Sequence, residues 1–302
     1  MTSRASFRQG FSLARRVRSM VWILLLANLG LAAVAALPIY RGILRFTGDS
    51  LMSQELASGS PVDWLTDFAA NNPGSLHRYG QVITALGLIS LLVNTVLSGG
   101  VLSRFQSAQE GGPMGGFFRD TGRYAWRMVR LMIVGLVCYW IVFRLLDRAL
   151  GDIIDKRTQD WLDDRPVFWV HLAWGILVAA GVCFVNVVMD YARVKLVMED
   201  GSSALYAFLS SLGFALRRLR RSVTVWALPS LCGVALLGIY RLLIPWGLVN
   251  APAPTASWSN FQEPLTLALL FIAQQAVMLG RYWFRVATWA SEWSYYAGSR
   301  RS

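Results

Sequence analysis

Long apolar runs separated by shorter polar connections set the pattern of this chain. Residues 21–40, 79–102, 128–146, 167–189, 223–246 and 264–284 are apolar almost throughout. A bilayer core about 30 Å thick needs about 20 helical residues at 1.5 Å each, and every run meets or approaches that length. The pattern therefore predicts an all-α, polytopic membrane protein with six transmembrane helices, forming one membrane domain over 1–302. A basic start ahead of the first run also fits a cleaved signal peptide. The run is long and continues through Pro38, so it is read as a retained span.

The connections differ in character. In the first, Pro61-Val62-Asp63-Trp64-Leu65 predicts a short helix start, because proline suits the first helical position, and Asn71-Asn72-Pro73-Gly74 predicts a turn. The second carries Arg104, Arg119, Arg123 and Arg127 around a Gly-Gly-Pro-Met-Gly-Gly break. The third is acidic, with Asp147, Asp152, Asp155, Asp160, Asp163 and Asp164. The fourth runs from Asp190 to the cluster Arg217, Arg218, Arg220 and Arg221. The fifth, 247–263, is rich in Pro, Ala and Ser, and the tail from Arg281 is aromatic and basic and reads as an interfacial segment.

Composition sharpens this picture through the placement of charge. Hydrophobic residues are 55% of the chain and charged residues 15%, well below the quarter common in soluble domains. The net charge of +12 would fit nucleic-acid binding if it lay on one solvated face. Instead the arginines concentrate at the N-terminus, in the second and fourth connections and in the tail, while most acids lie in the alternate connections. Lys and Arg mark the cytoplasmic side, so both termini are expected inside. The basic charge then belongs to anionic lipid headgroups, and nucleic acid is not expected as a partner. Cys138, Cys183 and Cys232 fall inside apolar runs without metal-ligand spacing and read as small buried residues, not a disulfide framework.

The fourth connection carries the strongest local signal. Leu205, Phe208, Leu209, Leu212, Leu216 and Leu219 recur at helical spacing, and Ser202-Ser203 supplies an N-cap. Such an amphipathic helix fits the membrane interface, the ends of the spans, or a protein partner at the cytoplasmic face. Asp190 and Arg193, three apart on one helical face, can pair there, alone or as part of an anionic-ligand site with Arg217 and Arg218. Arg193 precedes Glu199 by the same interval at which Arg104 precedes Glu110, and Arg285 with Glu292 gives a looser third copy. These membrane exits place an arginine where lipid phosphate and the negative end of a helix dipole meet. Candidate headgroup or partner ligands are thus Arg104, Asp190, Arg193, Arg217, Arg218, Arg220 and Arg221.

Chemistry beyond binding is not indicated. The chain has no phosphate loop, HExxH or GxSxG, and its two histidines, His77 and His171, are isolated in sequence. The aspartates of the third connection lack the ligand order and central glycine of an EF-hand, so they read as a solvated face. No catalytic residue, metal site or cofactor is expected, and the protein is read as non-enzymatic. The intramembrane amides Asn28, Asn94, Asn186, Gln274 and Gln275 usually tie helices together for about 1 kcal/mol each. If they lined a polar route instead, Asn94, Asn186 and Gln275 would serve a carrier for a small amphiphile or lipid, with Pro229 and Pro245 breaking the fifth span. No carboxylate or lysine lies near the middle of any span, which disfavours ion coupling.

The segment Val187-Val188-Met189-Asp190-Tyr191-Ala192-Arg193, followed by Glu199 and the amphipathic helix, carries a family likeness. So do the Gly99-Gly100 exit, Phe117-Phe118 and Arg123-Tyr124. Together they resemble a group of bacterial six-span membrane proteins of unknown function, similar to the membrane domain attached to some glycerophosphodiester phosphodiesterases. The likeness covers most of the chain in layout and rests on short motifs. It implies a membrane module without the catalytic barrel of those enzymes, so no catalytic residue carries over.

Overall fold

A computed structural model describes residues 3–47, 66, 70, 74–109, 116–159, 161, 164–249 and 262–300. The chain is α-helical in order as α1 (Ser3–Arg16), α2 (Arg18–Thr47), α3 (Ser75–Gln109) and α4 (Phe117–Val142). A π-helical stretch, Phe143–Ala149, carries α4 into α5 (Leu150–Thr158). Then come α6 (Asp164–Met198), α7 (Ala204–Arg217), α8 (Leu219–Val249) and α9 (Gln262–Arg300). Among the described residues, five helical segments are long and apolar enough to cross a membrane: Arg18–Gly42, His77–Ala108, Phe117–Thr158, Arg165–Met198 and Leu219–Leu242. They contain the first five expected spans, the fifth only as far as Leu242. The sixth expected span, 264–284, is helical as the first part of α9 but is not among these five.

The helices run well past the apolar runs. The expected polar connection over 103–127 is helical up to Gln109 and again from Phe117. Gly116 supplies the entry with a φ of 89°, a left-handed conformation that glycine adopts without a Cβ penalty. The short helix start expected at 61–65 and the Gly-Gly-Pro-Met-Gly break over 111–115 lie outside the described residues. So do Asn71–Pro73, although Gly74, the last residue of that expected turn, has a φ of 86° just ahead of α3. Helix α8 continues unbroken through Pro229 and Pro245.

Two compact units emerge. One comprises residues up to Val17, Thr95–Ser230 and Arg285–Ser302; the other comprises Arg18–Asn94 and Leu231–Phe284. In the second unit a reciprocal amide pair joins α2 to α3. Asn28 Nδ2 donates to Asn94 Oδ1 at 2.9 Å, and Asn94 Nδ2 donates to Asn28 Oδ1 at 2.8 Å. Ser90 adds its hydroxyl to Asn28 Oδ1. This is the helix-tying use of intramembrane amides, which leaves no unpaired amide against hydrocarbon.

The first unit holds the largest buried side chains, and α6 packs there against both α4 and α7. Close approach comes from small residues. A Cβ on Gly100 would meet the Phe117 ring at 2.8 Å, and one on Gly99 would meet Tyr124 Cβ at 3.0 Å. Helix α1 buries Ser6, Gly10, Leu13, Ala14 and Val17 along one stripe and leaves Arg8, Arg15 and Arg16 outside. Its Gly10 lies directly on Ser291 of α9.

Two sequence expectations are corrected here. The tail does not lie open as an interfacial segment: Val286, Ala287, Ala290, Ser291, Glu292 and Trp293 are among its fully or almost fully buried residues. Its stripe Ala287, Ala290, Ser291, Ser294 lets neighbouring helices come close, so Trp293 turns inward against Phe105, ring centroids 6.1 Å apart. The cysteines are all free, but only Cys138 is partly covered, while Cys183 and Cys232 face outward.

Candidate functional site

The described contacts converge on Asp190, near the end of α6. Its side chain is 1% exposed and accepts five hydrogen bonds from three helices. Arg193 Nη1, one turn along α6, donates to Oδ1 at 2.7 Å. Arg285 of α9 donates as a fork, Nη1 to Oδ2 and Nη2 to Oδ1, both at 3.1 Å. The indole N–H groups of Trp226 on α8 and Trp289 on α9 complete the set at 3.3 and 3.2 Å. A carboxylate removed from water is tolerated only with such pairing, and the bidentate guanidinium is its best partner. Arg285 also lies over the Trp289 ring at 4.9 Å, and Tyr139 of α4 stands beside the same three charges.

Beneath this cluster lies a second set of polar groups. Glu292 is fully buried two turns beyond Arg285, and neither of its oxygens has a hydrogen-bond partner among the described residues. The buried hydroxyls of Tyr191, Ser222 and Tyr295 likewise have none, although those of Tyr191 and Ser222 approach one another. Burial pushes the Glu292 carboxyl well up, helped by the nearby Asp190 charge and opposed by Arg285 and Arg193. The neutral acid is the form that such a site tolerates. Tyr191 and Tyr295 also pack with Val187 and Val225 as an apolar core, with Phe214 of α7 against it.

The turn between α6 and α7 is held from outside by α4. Asp200, at a φ of 49°, receives Arg123 Nη2 and Arg127 Nη1, each at 2.6 Å, and Arg130 donates to the Ser202 carbonyl at 3.1 Å. Hydrogen bonding from Arg127, reinforced by the charges of both arginines, holds the Asp200 carboxyl below its ordinary value. Glu199 accepts from the Tyr296 hydroxyl at 2.7 Å, and burial together with that bond raises the phenol. Ser203 caps α7 by accepting from the Tyr206 N–H, as the serine pair at its start predicts.

Helix α7 turns a face to the unit different from the one its leucines mark. Ala204, Ala207, Ser211 and Ala215 are buried, whereas Leu205, Leu209 and Leu216 are 57, 55 and 56% exposed. Of the expected apolar face only Phe208 and Leu212 are partly covered. Small residues allow α7 to sit close on α6, and Leu205, Leu209 and Leu216 are left outward. Arg217, Arg218, Arg220 and Arg221 are exposed beside them, Arg218 lying over the Phe214 ring at 5.6 Å.

The other sequence-derived candidates are placed as follows. Arg104 is almost fully buried and forms a salt bridge with Asp120, whose Oδ2 also accepts from Ser103 Oγ at 2.6 Å. The three arginines of the repeated exits, Arg104, Arg193 and Arg285, are thus all engaged by acids, two of them by the same one. Of the acids in the repeat, Glu110 lies outside the described residues, Glu199 is at the surface and Glu292 is buried. Asn94 is taken up by Asn28, and Asn186 turns back on the Val182 carbonyl at 3.1 Å. Gln275 is partly buried on α9. His77 faces Gln81 at 3.0 Å, and His171 joins the Val167 carbonyl and Asp155. Asp147, Asp152 and Asp155 are exposed.

Sequence reasoning missed Arg285, Trp226, Trp289 and Glu292 as members of one cluster. The Asp190–Arg193 spacing exposes one pair, but nothing in local pattern joins it to residues 95 and 99 positions further on. Among the described residues, fold and geometry define a helical protein with several helices long and apolar enough to cross a membrane and a buried ionic cluster joining α6, α8 and α9. Compared with protein-family models, curated proteins and solved structures, the chain matches none.

Proposed function

We propose that the protein is a non-enzymatic, multi-pass component of the bacterial inner membrane that organises anionic lipid at the cytoplasmic leaflet. In this reading the first part of α9 is a sixth span and both termini are cytoplasmic, as the placement of arginine favours. One observation carries the function: α7 is docked by its alanines, so Leu205, Leu209 and Leu216 and the exposed Arg217, Arg218, Arg220 and Arg221 remain available together. Apolar side chains at the acyl boundary beside guanidinium groups at the phosphates are the arrangement of an interfacial helix. Each such arginine contributes about 1 kcal/mol near an anionic surface. The buried ionic cluster fixes α6, α8 and α9, so that α7 is presented on a rigid support.

Replacing these four arginines with glutamine in the full chain is expected to lower anionic-lipid enrichment in mixed phosphatidylglycerol/phosphatidylcholine nanodiscs several-fold, most visibly at low salt. Unchanged enrichment would remove the interfacial role. Topology is checked separately by reporter fusions after Ala57, Thr158 and Ala256, which should all report the periplasmic side. An inside signal from any of them breaks the six-span arrangement.

A further inference from the structure

We propose that Arg193 and Arg285, held on Asp190, form a binding site for one phosphate-class oxyanion. The inference deepens the proposed function and rests on it for the source of the ligand, the headgroup of an anionic lipid. Two guanidinium charges against one carboxylate leave one positive charge in a cluster whose Asp190 and Arg193 are mostly out of water. Such a charge is costly unless a counterion balances it. Glu292 is the nearby acid that could do so, but its oxygens make no hydrogen bond to either arginine. Buried without partners, it is stable as the neutral acid and supplies no charge.

The cluster is also rich in donors. Asp190 uses one N–H of Arg193 and two of Arg285, whereas each guanidinium carries five. The Arg285 side chain remains 35% exposed and that of Arg193 16%, whereas Asp190 is 1% exposed, so a ligand would meet Arg285 first and not the carboxylate. Trp289 holds the Arg285 guanidinium from one face at 4.9 Å and fixes its plane. Two adjacent forked guanidinium groups match the oxygens of a phosphate, which a single lysine would meet only as a point charge.

The test uses the full-length protein in a non-ionic detergent, titrated separately with sodium phosphate, short-chain phosphatidylglycerol and short-chain phosphatidylcholine. We expect the wild type to bind one phosphatidylglycerol, and Arg285→Gln to weaken that binding by about tenfold or more. If Arg285→Gln does not fold, Arg285→Lys keeps a cation on Asp190 and should still lose several-fold through loss of the fork. Equal affinity for sodium phosphate and phosphatidylglycerol supports the site with free phosphate as its source, and tighter phosphatidylglycerol supports the lipid. Glu292→Gln should leave the affinity within about twofold, since a neutral group replaces a neutral group. A large gain in that variant would show that Glu292 already balances the arginines, and would overturn the proposal. So would failure of the wild type to bind either phosphate probe, or an Arg285→Lys variant that binds like wild type. The four-arginine glutamine variant separates the two readings: loss of nanodisc enrichment with retained single-site binding assigns the surface and the site independently.

Discussion

Asp190→Ala is expected to destabilise the protein by about 3–5 kcal/mol, the usual cost of stripping the counterion from a buried charge. The side chain accepts from Arg193, Arg285, Trp226 and Trp289. Its loss leaves two cations facing each other and two indole N–H groups without their acceptor. Asp190→Asn should fall between wild type and alanine, since an amide oxygen still accepts but brings no charge. Thermal unfolding in a single detergent, followed by tryptophan emission, reads both effects because Trp226 and Trp289 are themselves ligands of Asp190. A loss under about 1 kcal/mol would show that the arginines find other anions at little expense. The joining of α6, α8 and α9 would then have to be credited to apolar packing alone.

The second large effect is expected at Gly10. A Cβ built there lies 2.5 Å from Ser291 Cα and 2.6 Å from its nitrogen. These are backbone atoms of a buried helix and cannot turn aside as a side-chain end would. Gly10→Val should therefore separate α1 from α9, at about 1–3 kcal/mol or more for the overpacking itself. Trypsin should then cut faster at Arg8, Arg15 and Arg16, which α1 already carries outward. Ser291→Gly should not rescue the variant, because main-chain atoms of Ser291 obstruct as well as its hydroxyl. Unaltered cleavage in Gly10→Val would mean that α1 is not held by this contact.

Five of the six expected membrane helices were legible because their signal is local: about 20 apolar residues in a row admit few other readings. Their ends were not. Helix α4 begins at Phe117, 11 residues ahead of the expected span, since Thr121 and Tyr124 are buried where α3 offers Gly99 and Gly100. The same limit explains α7 and the tail. Leucine at helical spacing announces an apolar face, but contact between helices selected the alanines of α7 and the Ala/Ser stripe of α9, which carry little hydrophobic signal. Within the candidate site, Asp190–Arg193 could be read from a one-turn spacing. Arg285 could not, because a partner 95 residues away is specified by the fold and not by any neighbour in sequence.

The seating of Gly10 on Ser291 also sets an order of events during synthesis. Helix α1 leaves the ribosome long before α9 exists, so its buried stripe of Leu13, Ala14 and Val17 has no seat while the intervening spans are inserted. The Gly10 contact therefore cannot form until Ser291 has been made. Closure of the first unit is thus a late, long-range step, slow by the general dependence of folding rate on contact separation. A nascent chain arrested before α9 would lack both the seat of Gly10 and the Arg285 and Trp289 donors of Asp190.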